Sequence, residues 1–189
     1  MYQDVVRSTP VLKRVLKPQH RSTRELCSRV VEQSSLAGYE VFSTGTSAAS
    51  ALIVTSGTMT YTTRHLPERH MEVEPTTWVS EAVLWVEWKR RGSLTTNDPS
   101  RWLDLDHREF GEVMQLSCPK AMRHLLAAYS EAFAMKASTS LVLDVLKDKS
   151  EWEHLVFTAN ESISSFGVPS EREHHTSSIQ RWMRTGSFV

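Results

Sequence analysis

The sequence predicts an α+β fold: a small antiparallel β-barrel with helices before and after it. Three observations predict it. Apolar residues recur at helical spacing near the N-terminus and again beyond residue 106. Between these stretches lie short runs rich in Val, Thr and Tyr, separated by Gly and Asn-Asp-Pro turn signals, the texture of a sandwich or barrel. At 189 residues the chain is long enough for one such core with additional helices.

The elements follow in chain order. Leu12, Val15 and Leu16 mark a first helix that Pro18 interrupts. Ser22 or Thr23 caps a second, with Leu26, Val30 and Val31 as its apolar stripe, so residues 1–35 are expected as a helical lead. Strands are expected at 39–42, 51–55 and 58–63, with turns at Gly45 and Ser56-Gly57; Met59 and Tyr61 alternate with threonines in the third. Residues 66–70 read as a loop, and 72–78 as a strand with a turn at Pro75. Two more strands, 93–96 and 101–105, flank the turn Asn97-Asp98-Pro99-Ser100. Asp106 is a good N-cap for a helix with Phe110, Val113 and Met114 on one face. Pro119 suits the first turn of a longer helix carrying Met122, Leu125, Leu126, Tyr129 and Phe133 to about 136. The barrel with its following helices is thus placed at 36–136. Leu141, Val142, Val145 and Leu146 start an additional helix, 137–163, which Trp152, Leu155 and Val156 continue. Residues 164–189, rich in Ser, Thr, Glu and His, read as a flexible tail.

Charge and cysteine content narrow the function classes. Lys plus Arg and Asp plus Glu are both 22, so the chain has no overall electrostatic reason to seek nucleic acid or an anionic membrane. Its two cysteines, Cys27 and Cys118, are far apart and in no metal-type spacing, which favours a reducing compartment. The opening MYQDVVRSTP lacks the apolar run of a signal peptide, and no stretch approaches the ~20 apolar residues that span a bilayer. The expected location is the cytoplasm, or the cytosolic face of a membrane as part of a larger assembly.

An ordered set of short motifs carries a resemblance. Gly38-Tyr39-Glu40-Val41-Phe42, Gly45, Leu52-Ile53-Val54 and Gly57 come first. Val79-Ser80-Glu81 follows, then Arg90-Arg91-Gly92-Ser93-Leu94, with Arg90 nine positions after Glu81. Residues 102–110 (WLDLDHREF) look like a last strand running into a helix. In this order, over roughly residues 22–136, they resemble the cyclic-nucleotide-binding domain family, whose barrel is a jelly roll. The segment 80–88 (SEAVLWVEW) also resembles divergent domains in the cytosolic tails of protist, notably dinoflagellate, voltage-gated and cyclic-nucleotide-gated cation channels.

The resemblance implies a regulatory domain, not an enzyme, with cAMP or cGMP as ligand, no cofactor, and other domains or subunits of a channel assembly as partners. A phosphate calls for a guanidinium and backbone N–H groups, a ribose hydroxyl for a carboxylate acceptor. Arg90 would hold the phosphate and Glu81 the ribose, with backbone N–H groups of Ala82 and Gly92 completing a cradle that spans Ser80, Glu81, Ala82, Arg90, Arg91, Gly92 and Ser93. Leu125 and Tyr129 would close over the base as a lid. The sequence departs from the family at five positions. Ser80 replaces a glycine, Arg91 a small residue or Thr, Thr46 an acidic residue, and Trp85 and Trp88 are bulky for the cradle. A second reading therefore stays open: an interaction domain on the same fold whose pocket is plugged by Trp85 and Trp88.

Other chemistries find less support. Of the eight histidines, only His174 and His175 are adjacent, and the predicted strands hold none, against a cupin-like metal enzyme. No Gly-x-Ser-x-Gly elbow occurs and neither cysteine has an evident base, so no catalytic residue is expected.

Overall fold

The structure, a computed structural model, describes residues 2–65, 68–139, 141, 143–145, 150, 152–157 and 159. They fall into two compact units.

The β unit holds two four-stranded antiparallel sheets. The strands are β1 (Val31–Ser35), β2 (Glu40–Phe42), β3 (Ser50–Ser56), β4 (Met59–Thr62), β5 (His70–Val73), β6 (Trp78–Val79), β7 (Ser93–Thr96) and β8 (Ser100–Asp106). One sheet has the order β1-β8-β3-β6, the other β2-β7-β4-β5. This is the α+β, jelly-roll type of barrel that the sequence predicts. Alternation builds its core: Met59 and Tyr61 of β4 sit opposite Val73 and Met71 of β5, and all four are buried with Leu52, Val54, Leu94 and Trp102. The β3–β4 turn needs a positive φ, which Gly57 supplies at 78°, and Asp98 accepts hydrogen bonds from the Thr58 N–H (3.0 Å) and hydroxyl (2.9 Å). These bonds hold the Asp98 carboxyl below its usual range.

Two segments depart from expectation here. The helical lead ends at Arg29, and residues 31–35 form β1, paired along its length with β8 from Val31↔Asp104 to Ser35↔Ser100. As an edge strand, largely exposed, β1 carries no buried alternation to announce it. The expected helix at 141–146 is also absent from its described residues. Val145 instead forms an antiparallel bridge with Val79, extending the β6 edge, and is buried with the barrel core beside half-buried Leu143. A smaller departure is His70, which begins β5 rather than lying in a loop.

The helical unit contains α1 (Gln3–Val6), α2 (Pro10–Val15), α3 (Arg21–Arg29), α4 (His107–Ser117) and α5 (Lys120–Thr139), with residues 152–157 also helical. Thr9 caps α2 by accepting from the Leu12 N–H at 3.3 Å, with Pro10 in the first turn. At α3 the ring of His20, not Ser22 or Thr23, accepts the Ser22 N–H (3.3 Å); Ser22 and Thr23 are buried in the first turn. Phe133 stacks on Trp152 at 5.0 Å between ring centroids. The tail expected at 164–189 lies outside the described residues.

Candidate ligand cradle

The link from β6 to β7 builds the site. Ser80 follows β6 in the left-handed region (φ 57°, ψ 29°) and starts a single 3-10 turn, Glu81–Leu84. This is the position where the sequence has serine and the resembled family glycine, and the conformation is one that glycine adopts without strain. The chain then returns through Trp88 to Gly92. A Cβ at Gly92 would stand 2.5 Å from the Thr62 carbonyl oxygen and from the Tyr61 ring, so only glycine lets the two backbones approach this closely.

Into this turn projects the carboxylate of Asp144, 1% exposed. Its Oδ2 accepts from the Arg91 N–H (2.7 Å), the Gly92 N–H (3.1 Å) and the Tyr61 hydroxyl (2.7 Å). Its Oδ1 accepts from the Trp88 indole Nε1 (2.6 Å) and, more weakly, from the Ser80 hydroxyl (3.4 Å). The Ser80 N–H donates to the Asp144 carbonyl at 2.7 Å. Every side-chain contact is a donor, so the pocket is chemically an anion site, and the anion is the protein's own. Burial, then the bond to Asp144, pushes the Tyr61 phenol well above its ordinary range.

The two residues expected to hold the nucleotide each have a neighbour of their own. No ion pair joins Arg90 to Glu81 or to Asp144. The Arg90 guanidinium lies 4.3 Å from the Phe42 ring centroid, and its Nε is buried without a hydrogen-bond partner. Burial lowers its pKa, against the pull of the Asp144 and Asp104 carboxylates. Glu81 is buried and faces Trp85, whose Nε1 donates to it at 3.4 Å; burial pushes the carboxyl up to about 7.

The remaining expected site residues divide. Ser80, Arg91 and Gly92 meet on Asp144, while the Arg91 side chain lies over the Trp88 ring at 5.1 Å. Ala82 uses its carbonyl to close the 3-10 turn, accepting from Trp85 and Val86. Ser93 accepts from the Thr44 N–H at 3.1 Å. Leu125 and Tyr129 are buried on α5 in the helical unit. Trp88 donates its indole N–H to the Asp144 carboxylate and Trp85 donates to Glu81, so a carboxylate is seated in the cradle and both indoles bond to acids. Sequence reasoning missed Asp144 and Tyr61. The available signal was one acid inside the apolar run LVLDVL, residues 141–146, which requires a buried partner set wherever that run is packed.

This architecture is a cyclic-nucleotide-binding-like fold. No family model matches the sequence, and no curated protein matches it. Solved structures do. A cyclic nucleotide-binding-like protein from Brucella abortus matches with TM-score 0.52 at 19% identity, over 60% of this chain and 97% of that one. The N-terminal domain of a transcriptional regulator from Streptomyces coelicolor matches with TM-score 0.57 at 18% identity, over 72% and 93%. The regulatory domain of Toxoplasma gondii PKA, solved with cAMP, matches with TM-score 0.54 at 14% identity, over 74% of this chain and 49% of that one.

Proposed function

We propose that this chain is a regulatory domain of the cyclic-nucleotide-binding type, not an enzyme, whose cradle is held by its own Asp144 in place of a nucleotide. The observation that carries this reading is the carboxylate seated on the Arg91 and Gly92 N–H groups, of which the resemblance assigns the Gly92 N–H to the phosphate cradle. Three further facts support it. Glu81 is turned to Trp85, Arg90 is stacked on Phe42, and Ser80 is bonded to the Asp144 main chain. For the assembly it regulates, a cation-channel tail has the support of the sequence resemblance at 80–88. Among the described residues no helix is long and apolar enough to cross a membrane, so on this reading the chain contributes a domain outside the bilayer.

Calorimetry with cAMP and with cGMP on the unmodified chain tests the reading. The expected result is no binding heat at millimolar nucleotide; saturable micromolar binding of either would overturn it.

A further inference from the structure

β1 differs from the other strands at the sheet edges. β6 has two residues and is met by Val145. β2 has three and pairs through a register shift; β5 has four and buries Met71 and Val73. β1 has five, pairs with β8 without a shift, and exposes Val31, Glu32, Gln33 and Ser34 in succession. Successive side chains of a strand point to opposite faces, so neither face is covered over those four residues. Exposed edges are commonly blunted by Lys, Pro or a bulge, and β1 has none of the three. Among the described residues no strand pairs with its outer side. Apolar surface lies at both ends, where Val31 is 55% and Leu36 77% exposed.

We propose that β1 is the interface for a second copy of this chain, the two β1 strands pairing antiparallel about a two-fold axis at Gln33. Residues opposite one another in an antiparallel pair turn their N–H and C=O groups both inward or both outward. A strand paired with its own copy therefore sets residues of equal parity opposite, and the axis falls on Glu32, Gln33 or Ser34. At Glu32 it would place like charges face to face, which is unfavourable. At Ser34 it would carry Val31 and Glu32 past the end of the partner strand. At Gln33 all five residues pair: Val31 with the partner's Ser35, Glu32 with the partner's Ser34, and Gln33 with its own copy. Charge fits the same register. Arg101 is exposed on β8 directly opposite Ser34, so the partner's Glu32 comes next on that face, about 10 Å from Arg101 between backbones. An arginine and a glutamate can span that distance over a serine, and the symmetry makes the pair twice. Leu36 comes opposite the partner's Val30, beside a groove bounded by Ser56, Pro99 and Arg101. Main-chain hydrogen bonds supply the affinity, as in other strand additions, and the two-fold axis closes the assembly at two copies. The interface stands whichever group occupies the cradle.

Sedimentation equilibrium of the full chain tests it. A small interface of this kind is weak, so the expected result is a monomer–dimer equilibrium within reach of about 0.5 mM protein. Gln33→Lys and Gln33→Glu, each alone, set like charges across the axis and should weaken the dimer at least about ten-fold. Mixed in equal amounts, the two variants should associate at least as well as the unmodified chain, because opposite charges then meet on the axis. Gln33 is exposed, so both variants should keep the fold, which circular dichroism verifies. A chain that stays monomeric at that concentration, a dimer that Gln33→Lys leaves unchanged, or a mixture that recovers no association would overturn the proposal.

Discussion

The Asp144 carboxylate and the Trp88 indole share a 2.6 Å hydrogen bond across 56 residues of sequence, and both groups are buried. That bond ties a segment after α5 to the turn whose Arg91 and Gly92 N–H groups point at the same carboxylate.

Removing the carboxylate leaves four donors without their acceptor, the buried Tyr61, Trp88 and Gly92 and the half-buried Arg91. Asp144→Ala is therefore expected to lower unfolding stability by about 3 kcal/mol, read from denaturant titration. A loss within the range of an ordinary surface substitution would show that the contacts are not formed in solution.

Tyr61→Phe isolates one of those donors. It keeps the ring that packs in the core and deletes the hydroxyl, so the expected loss is about 1–2 kcal/mol. In an Asp144→Ala background the same change should have almost no effect, because the acceptor is already gone. A double-mutant cycle measures this coupling.

Gly92→Ala forces a methyl against the Thr62 carbonyl and the Tyr61 ring. The expected destabilisation is about 2 kcal/mol or more, as for other overpacked sites. Ser80→Gly should act in the opposite direction. It relieves a left-handed serine at the loss of one 3.4 Å contact, and a gain of about 1 kcal/mol is expected by thermal or chemical unfolding.

Glu81 gives the fold a pH dependence with a definite sign. Its carboxyl titrates at about 7 in the native state against 4.5 as the ordinary value, chiefly because it is buried. Below pH 4.5 both states hold the proton and the contribution to stability is complete. Between 4.5 and about 7 only the unfolded state ionises, so stability falls, by roughly 3 kcal/mol in total, and then levels off. Subtracting the profile of Glu81→Gln from that of the unmodified chain should show this fall; parallel profiles would contradict it.

Much of the barrel was legible because its strands obey simple rules. Met59 and Tyr61 alternate, Gly57 and Asn97-Asp98-Pro99-Ser100 make the turns, and β7 falls where its four residues predict. β1 was not legible, since an exposed edge strand needs no buried face, and Val31 looked like the last position of a helical stripe. The cradle was half legible. Ser80, Arg91 and Gly92 fell in the predicted place, but the expected pairing of Glu81 with Arg90 on a ligand assumed that a glutamate and an arginine at the right interval must face one pocket. In the structure Glu81 is buried beside Trp85 and Arg90 lies over Phe42, neighbours that the interval alone does not announce. Asp144 was hidden for a different reason. The run around it fits a helix by composition, whereas Val145 bridges to Val79 and Asp144 bonds to the turn through tertiary contacts the sequence does not announce.

The central claim is that the cradle is occupied by the chain's own carboxylate, and the Trp88 indole N–H reports it most directly. In proton–nitrogen correlation spectra, the account predicts one indole resonance, assigned to Trp88, that is protected from solvent exchange in the unmodified chain and loses both its shift and its protection in folded Asp144→Ala. An unprotected Trp88 N–H in the unmodified chain, or one that is the same in both proteins, would contradict it.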